Sequence, residues 1–218
     1  MDYAEARKHM IDGQLRPNKV TEASLLAAFG RIGREGFVPA ALRARAYADE
    51  SAPIAPGRGM MAPMVLARLL QAASPRLGRK ALVAGAGSGY SAAILAEMGL
   101  VVTAVESDAT LVAAARPLLA AALPGAQPSV VQGEPAEGNA PGAPYDIILI
   151  DGAVEEIPPA LIAQLAEGGR LVTVLNEPGK APRAVLGQKT GAAFHTQRLF
   201  DAHAPALPGL QKLPAFAL

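Results

Sequence analysis

Apolar positions follow two different periods along this chain, and the change falls close to residue 79. Upstream the spacing is helical. A first helix is predicted from Asp2 to Leu15, stopping before Pro17, and a second opens on Thr21 and carries Leu25, Leu26, Phe29 and Ile32 on one face. Arg34 to Pro56 keeps no period, apart from one helical turn expected at Ala40 to Arg45. Pro63 starts a third helix with a broad apolar face, Leu66, Leu69 and Leu70 among it, and Ser74-Pro75 stops it.

Downstream, short apolar runs alternate with helical segments. Strands are expected at Ala81 to Ala84, Leu100 to Val105, Ser129 to Gln132, Tyr145 to Ile150 and Arg170 to Leu175. Helices are expected from Tyr90 to Met98, from Asp108 as N-cap to Leu123 through Pro117, and after Pro158-Pro159. Ala184 to Gln188 and Phe194 to Leu199, joined through Thr190-Gly191, read as a terminal antiparallel hairpin. The predicted fold is α/β, a doubly wound and mostly parallel sheet. It carries a helical N-terminal cap and a C-terminal antiparallel hairpin. A single domain over 1–218 is expected, with 1–78 as cap and substrate-side segment and 79–218 as the cofactor-binding sheet.

The candidate chemistry sits where the first of these strands meets its helix. Gly85, Ala86, Gly87, Ser88 and Gly89 form a GxGxG loop, in the context where glycines let a backbone turn sharply and approach a ligand. A dinucleotide fingerprint requires another glycine at position 90, which is Tyr90 here. The loop therefore points to S-adenosylmethionine over NAD. Glu106 closes the next strand, followed by Ser107, where a carboxylate can accept both ribose hydroxyls. Gly133 and Glu134 follow the third strand and could face the adenine.

Composition narrows the alternatives. With no cysteine, disulfides, thiolate metal sites and cysteine nucleophiles are excluded. A net charge of +1 without charge runs gives no electrostatic case for nucleic acid or an anionic membrane. The N-terminal MDYAEARKHM lacks the apolar core of a signal peptide, and no apolar stretch is long enough to span a bilayer, so a cytoplasmic protein is expected. His9, His195 and His203 show no metal-ligand spacing.

Several segments together resemble one family. MIDGQLRP (Met10 to Pro17), REGFVP (Arg34 to Pro39), AYADESAPI (Ala46 to Ile54), the glycine loop, and YDIILIDGAVEEIPPALIAQLAEGGRLV (Tyr145 to Val172) are similar to protein-L-isoaspartate O-methyltransferases in order and spacing. The first two are far more specific than the glycine loop. The resemblance implies methyl transfer from S-adenosylmethionine to the α-carboxylate of an isoaspartyl residue in a damaged protein. That nucleophile is already ionised near neutral pH, so the enzyme mainly positions it and excludes water. No catalytic base is assigned.

The chain departs from the family at three places. Where the family has a hydroxyl-bearing T-I-S-x-P segment beside the methyl group, this chain reads Gly59-Met60-Met61-Ala62-Pro63, and a thioether donates no hydrogen bond. Val83 stands where the family has an acid that helps anchor the cofactor, and the tail from His195 to Leu210 is not the usual ending. Ile54, Met60 and Met61 are the candidate substrate cleft. Two alternatives stay open. Asp151, Asn176 and Glu177 occupy positions where metal-assisted small-molecule O-methyltransferases hold a divalent cation. A scaffold without the hydroxyls could instead bind S-adenosylmethionine or a partner protein without turnover.

Overall fold

The computed structural model describes residues 1–125 and 127–210. Helix α1 (Tyr3–Met10) is capped by Asp2, whose carboxylate accepts from the Ala4 and Glu5 amides, and it runs on as a wider turn over Ile11–Leu15. Helix α2 (Ala23–Arg31) starts one residue later than expected, because Glu22 and not Thr21 is its N-cap. Helix α3 (Pro63–Ala73) begins with proline at its first turn and ends on Ser74 in the left-handed conformation.

Between α2 and α3 lies an element that the periodicity did not show. Strands β1 (Ala52–Ala55) and β2 (Arg58–Met60) pair antiparallel around Pro56-Gly57, with Gly57 at φ +68°. Each strand is too short to display alternation, and Pro53 and Pro56 read as breakers.

The main sheet holds β3 (Lys80–Ala84), β4 (Val101–Glu106), β5 (Ser129–Gln132), β6 (Tyr145–Val154), β7 (Leu165–Leu175), β8 (Arg183–Thr190) and β9 (Ala193–Asp201). Their order is β5-β4-β3-β6-β7-β8-β9; the first five are parallel, and β8 and β9 are added antiparallel. Helices α4 (Tyr90–Glu97), α5 (Ala109–Ala122) and α6 (Pro159–Ala163) make the crossovers. Strands β6 and β7 run longer than expected, since their glycine-bearing ends, Gly152 and Gly168-Gly169, still pair through register shifts.

Alternation divides the strand residues between two cores. Ala81, Val83, Ile147 and Leu149 join Met10, Leu25, Phe29 and Leu70 from the N-terminal helices on one face. Leu82, Ile148, Leu161 and Val185 pack together on the other. Each fully buried leucine or isoleucine adds on the order of 1.5–3 kcal/mol of transfer free energy. Strand order reverses between β3 and β6, so a crevice is expected at the carboxyl ends there, the usual ligand position in such sheets. After β9 the chain turns back toward that edge. The Ala153 amide donates to the Pro205 carbonyl at 2.7 Å, and the Leu207 amide donates to Ala153 at 3.0 Å.

Candidate active site

The loop after β3 is shaped by its glycines. Gly85, Gly87 and Gly89 take φ values of +78°, +57° and +94°, a region that other residues enter only with strain. The Gly85 and Ala86 amides both donate to the Val105 carbonyl, which ties the loop to the end of β4. The whole segment Gly85–Gly89 is buried.

Glu106, at the end of β4, faces this loop with no exposed surface. Its Oε1 accepts from Arg58 Nη1 at 2.5 Å and the Asp108 amide at 3.0 Å. Its Oε2 accepts from Arg58 Nη2 at 2.6 Å and the Gly87 amide at 2.7 Å. Burial opposes ionisation, but Arg58 and the amides of Asp108 and Gly87 outweigh it, and the carboxyl lies below its ordinary range. Ser107 is partly exposed beside it, the Gly133 amide donates to the Glu106 carbonyl at 3.0 Å, and Glu134 is exposed.

Asp151 occupies the corresponding level of β6 and accepts a hydrogen bond from Ser91 Oγ in α4. Desolvation dominates here. The Ser91 hydrogen bond and the fields of Arg58 and Arg34 only partly offset it, and the carboxyl is pushed up to about 6.

The segment expected to line a substrate cleft is packed inward. Met60 accepts from Ser88 Oγ at 3.3 Å through its sulfur, and Met61 is 1% exposed. The Met61 carbonyl accepts from Arg34 Nη2 at 2.7 Å, while Arg34 Nε donates to Ala46 at the same distance. The guanidinium of Arg34 lies 5.1 Å from the ring centroid of Tyr90, so the REGFVP segment clamps the backbone that carries Met61. Ile54 is half-buried over the loop: a methyl group added at Gly87 would lie 2.7 Å from Ile54 Cδ1.

Of the alternative metal positions, Asp151 is turned to Ser91, and Glu177 is paired with Lys180 and Arg183. Among the described residues no group of three acids or histidines could hold a metal ion, and no helix is long and apolar enough to cross a membrane.

The model of the family described as protein-L-isoaspartate(D-aspartate) O-methyltransferase matches residues 5–201. This chain belongs to that family. It is 42% identical to a protein-L-isoaspartate O-methyltransferase of Methylorubrum populi over 80% of this chain and 81% of the relative. With one from Koribacter versatilis it shares 39% identity over 89% and 87%. In fold it is similar to a solved protein-L-isoaspartate O-methyltransferase, with a TM-score of 0.80 at 22% identity, covering 94% of this chain and 67% of that one. A Plasmodium falciparum structure holding S-adenosyl-L-homocysteine gives a TM-score of 0.72 at 19% identity, covering 94% and 99%. The family is one of S-adenosylmethionine-dependent methyltransferases, the enzyme class and cofactor expected from the glycine loop.

The residue types suit that cofactor, but in this arrangement the atoms that would receive it are already engaged by the chain itself. A carboxylate offers about four acceptor positions, and the four donors to Glu106 already fill them. A methyl group added at Gly85 would lie 2.6 Å from Leu207 Cδ2, so a side chain from the tail already makes the close approach that the glycine permits. Sequence reasoning missed both Arg58 and Leu207. The one signal for Arg58 was a lone cation in an otherwise apolar stretch, but it stands 48 residues from its acid and nothing local names that partner.

Proposed function

We propose that this chain methylates the α-carboxylate of isoaspartyl residues in damaged proteins, using S-adenosylmethionine, and does so in the cytoplasm. The observation that carries the reading is the family match over residues 5–201, which includes the motifs that distinguish these proteins from other methyltransferases of the fold. Gly85, Ala86, Gly87, Ser88, Gly89, Glu106 and Ser107 are the proposed cofactor residues, with Gly133 and Glu134 on the adenine side. Ile54, half-buried over the loop, is the proposed acceptor-side residue, with Met60 and Met61 buried beside it. S-adenosylmethionine supplies an activated methyl group; the chain's own part is to hold the acceptor carboxylate in line and keep water away.

A second reading is favoured by one observation. Gly59 and Met61 bring no hydroxyl to the place where the family has two, and losing a donor to the reacting group can lower a rate on the order of 100-fold or more. An acceptor other than an isoaspartyl carboxylate fits that change. The test is transfer of labelled methyl from S-adenosylmethionine to an isoaspartyl peptide, with its aspartyl isomer as control. Label on the isoaspartyl peptide alone supports the first reading. Turnover that labels neither peptide, but does label another acceptor in a cell extract, replaces it with the second.

A further inference from the structure

Two segments meet over the glycine loop, and neither is part of the sheet's parallel core. One is the β1–β2 hairpin, which delivers Arg58 to Glu106 and Ile54 to Gly87. The other is the tail after β9, which delivers Leu207 to Gly85 and Gly152: methyl groups added there would lie 2.6 Å from Leu207 Cδ2 and from Leu207 Cγ respectively. The segments also touch each other, since a methyl group at Gly59 would lie 2.9 Å from Pro205 Cγ. Backbone pairing of Ala153 with Pro205 and Leu207 holds the tail in place. That tail lies beyond the residues matched by the family model.

We infer that this hairpin and tail form a latch across the cofactor crevice, with Arg58 standing in for the ribose on Glu106 and Leu207 covering Gly85, so that S-adenosylmethionine enters only when both withdraw. The inference rests on the cofactor reading above. Its physical basis is competition for the same atoms. Ribose hydroxyls would reach Glu106 as neutral donors, whereas Arg58 brings both a bidentate fork and the positive charge that compensates the buried carboxylate. Arg58 is 8% exposed and also donates to the Gly85 carbonyl at 3.3 Å, so its release frees the loop backbone as well as the acid. Leu207 contributes the apolar half: it keeps water off Gly85 and Gly152, and leaving them exposes a leucine that is 3% accessible. A ligand that binds only the unlatched form has its affinity reduced by the fraction of molecules unlatched.

The test is calorimetric titration of S-adenosylhomocysteine into the full-length wild-type chain and into R58Q, R58K and L207A, each checked for folding by circular dichroism. R58K keeps a positive charge but loses the bidentate fork, and L207A does not touch the ion pair, so the measurement survives if R58Q fails to fold. Tighter binding to L207A and the Arg58 variants than to wild type, on the order of tenfold or more, is the expected result. Wild-type affinity equal to that of the variants overturns the latch and leaves the cofactor reading standing. Absence of binding to every folded variant overturns the latch and the cofactor reading together.

Discussion

Glu106 and Asp151 lie toward the carboxyl ends of β4 and β6, on either side of β3, and meet opposite fates. Glu106 accepts four hydrogen bonds, two of them from Arg58, and stays an anion inside the protein. Asp151 has a serine hydroxyl and distant cations, and burial raises its carboxyl to about 6. Both are acids on parallel strands, and what separates them is the supply of donors. The β4 acid is served by a left-handed glycine turn and by the hairpin; the β6 acid takes, among the described residues, its hydrogen bond from one side chain of α4. An acid without a guanidinium partner keeps its proton more readily, and an acid with one becomes part of the frame.

The strongest way to break the comparison is to remove the better-served acid. Glu106→Ala leaves the Arg58 guanidinium buried without its counter-charge, which is expected to cost roughly 3–5 kcal/mol. Urea unfolding at pH 7 measures it. A loss under about 1 kcal/mol would mean that Arg58 simply swings to solvent, and that the two strand ends differ less than their geometry suggests.

A methyl group at Gly85 tests the loop that serves Glu106. Gly85→Ala meets both φ +78° and Leu207, and is expected to lose about 1–3 kcal/mol. In a Leu207→Ala background the clash is gone and only the backbone strain should remain, about 1 kcal/mol. A double-mutant cycle by denaturant unfolding reads the coupling directly. Additive losses would show that Leu207 is not held against the glycine.

These features were unequally legible in the sequence. The sheet could be read because buried parallel strands are short apolar runs with glycine or acid at their ends, and Lys80–Ala84, Val101–Glu106 and Ser129–Gln132 stand within a residue or so of expectation. The family-specific motifs could be recognised, but not explained. Only the structure shows that Arg34 clamps Met61 and Ala46, and that Gln14 Nε2 donates to the Tyr47 carbonyl at 2.9 Å. Arg58 and Leu207 were invisible for another reason. Their partners, Glu106 and Gly85, are distant in sequence, and no local pattern encodes which side chain will fill a crevice. The expectation of Met60 and Met61 on a cleft came from position along the chain, whereas packing against Ser88 and below Arg34 decides where their side chains go.

The smallest effect expected is also the one that separates the two acids by sign. Asp151 has a folded-state value of about 6 against about 3.8 unfolded, so between those pH values the native protein holds the proton that the unfolded chain has lost. Stability drawn from this residue is therefore complete below about pH 4, falls as pH rises, and is gone above about pH 6. Glu106 runs the other way: its depressed value means stability present above the ordinary glutamate range and lost toward acid. Asp151→Asn keeps a partner for Ser91 but cannot titrate. The variant should gain on wild type between pH 4 and pH 7 by about 1–2 kcal/mol; the full shift would give nearer 3, reduced because Asp151 keeps some contact with solvent. Thermal unfolding of both proteins across that range measures the difference. A difference that stays flat with pH would mean that Asp151 ionises in the fold as freely as in the unfolded chain, and the contrast between the two acids would then rest on geometry alone.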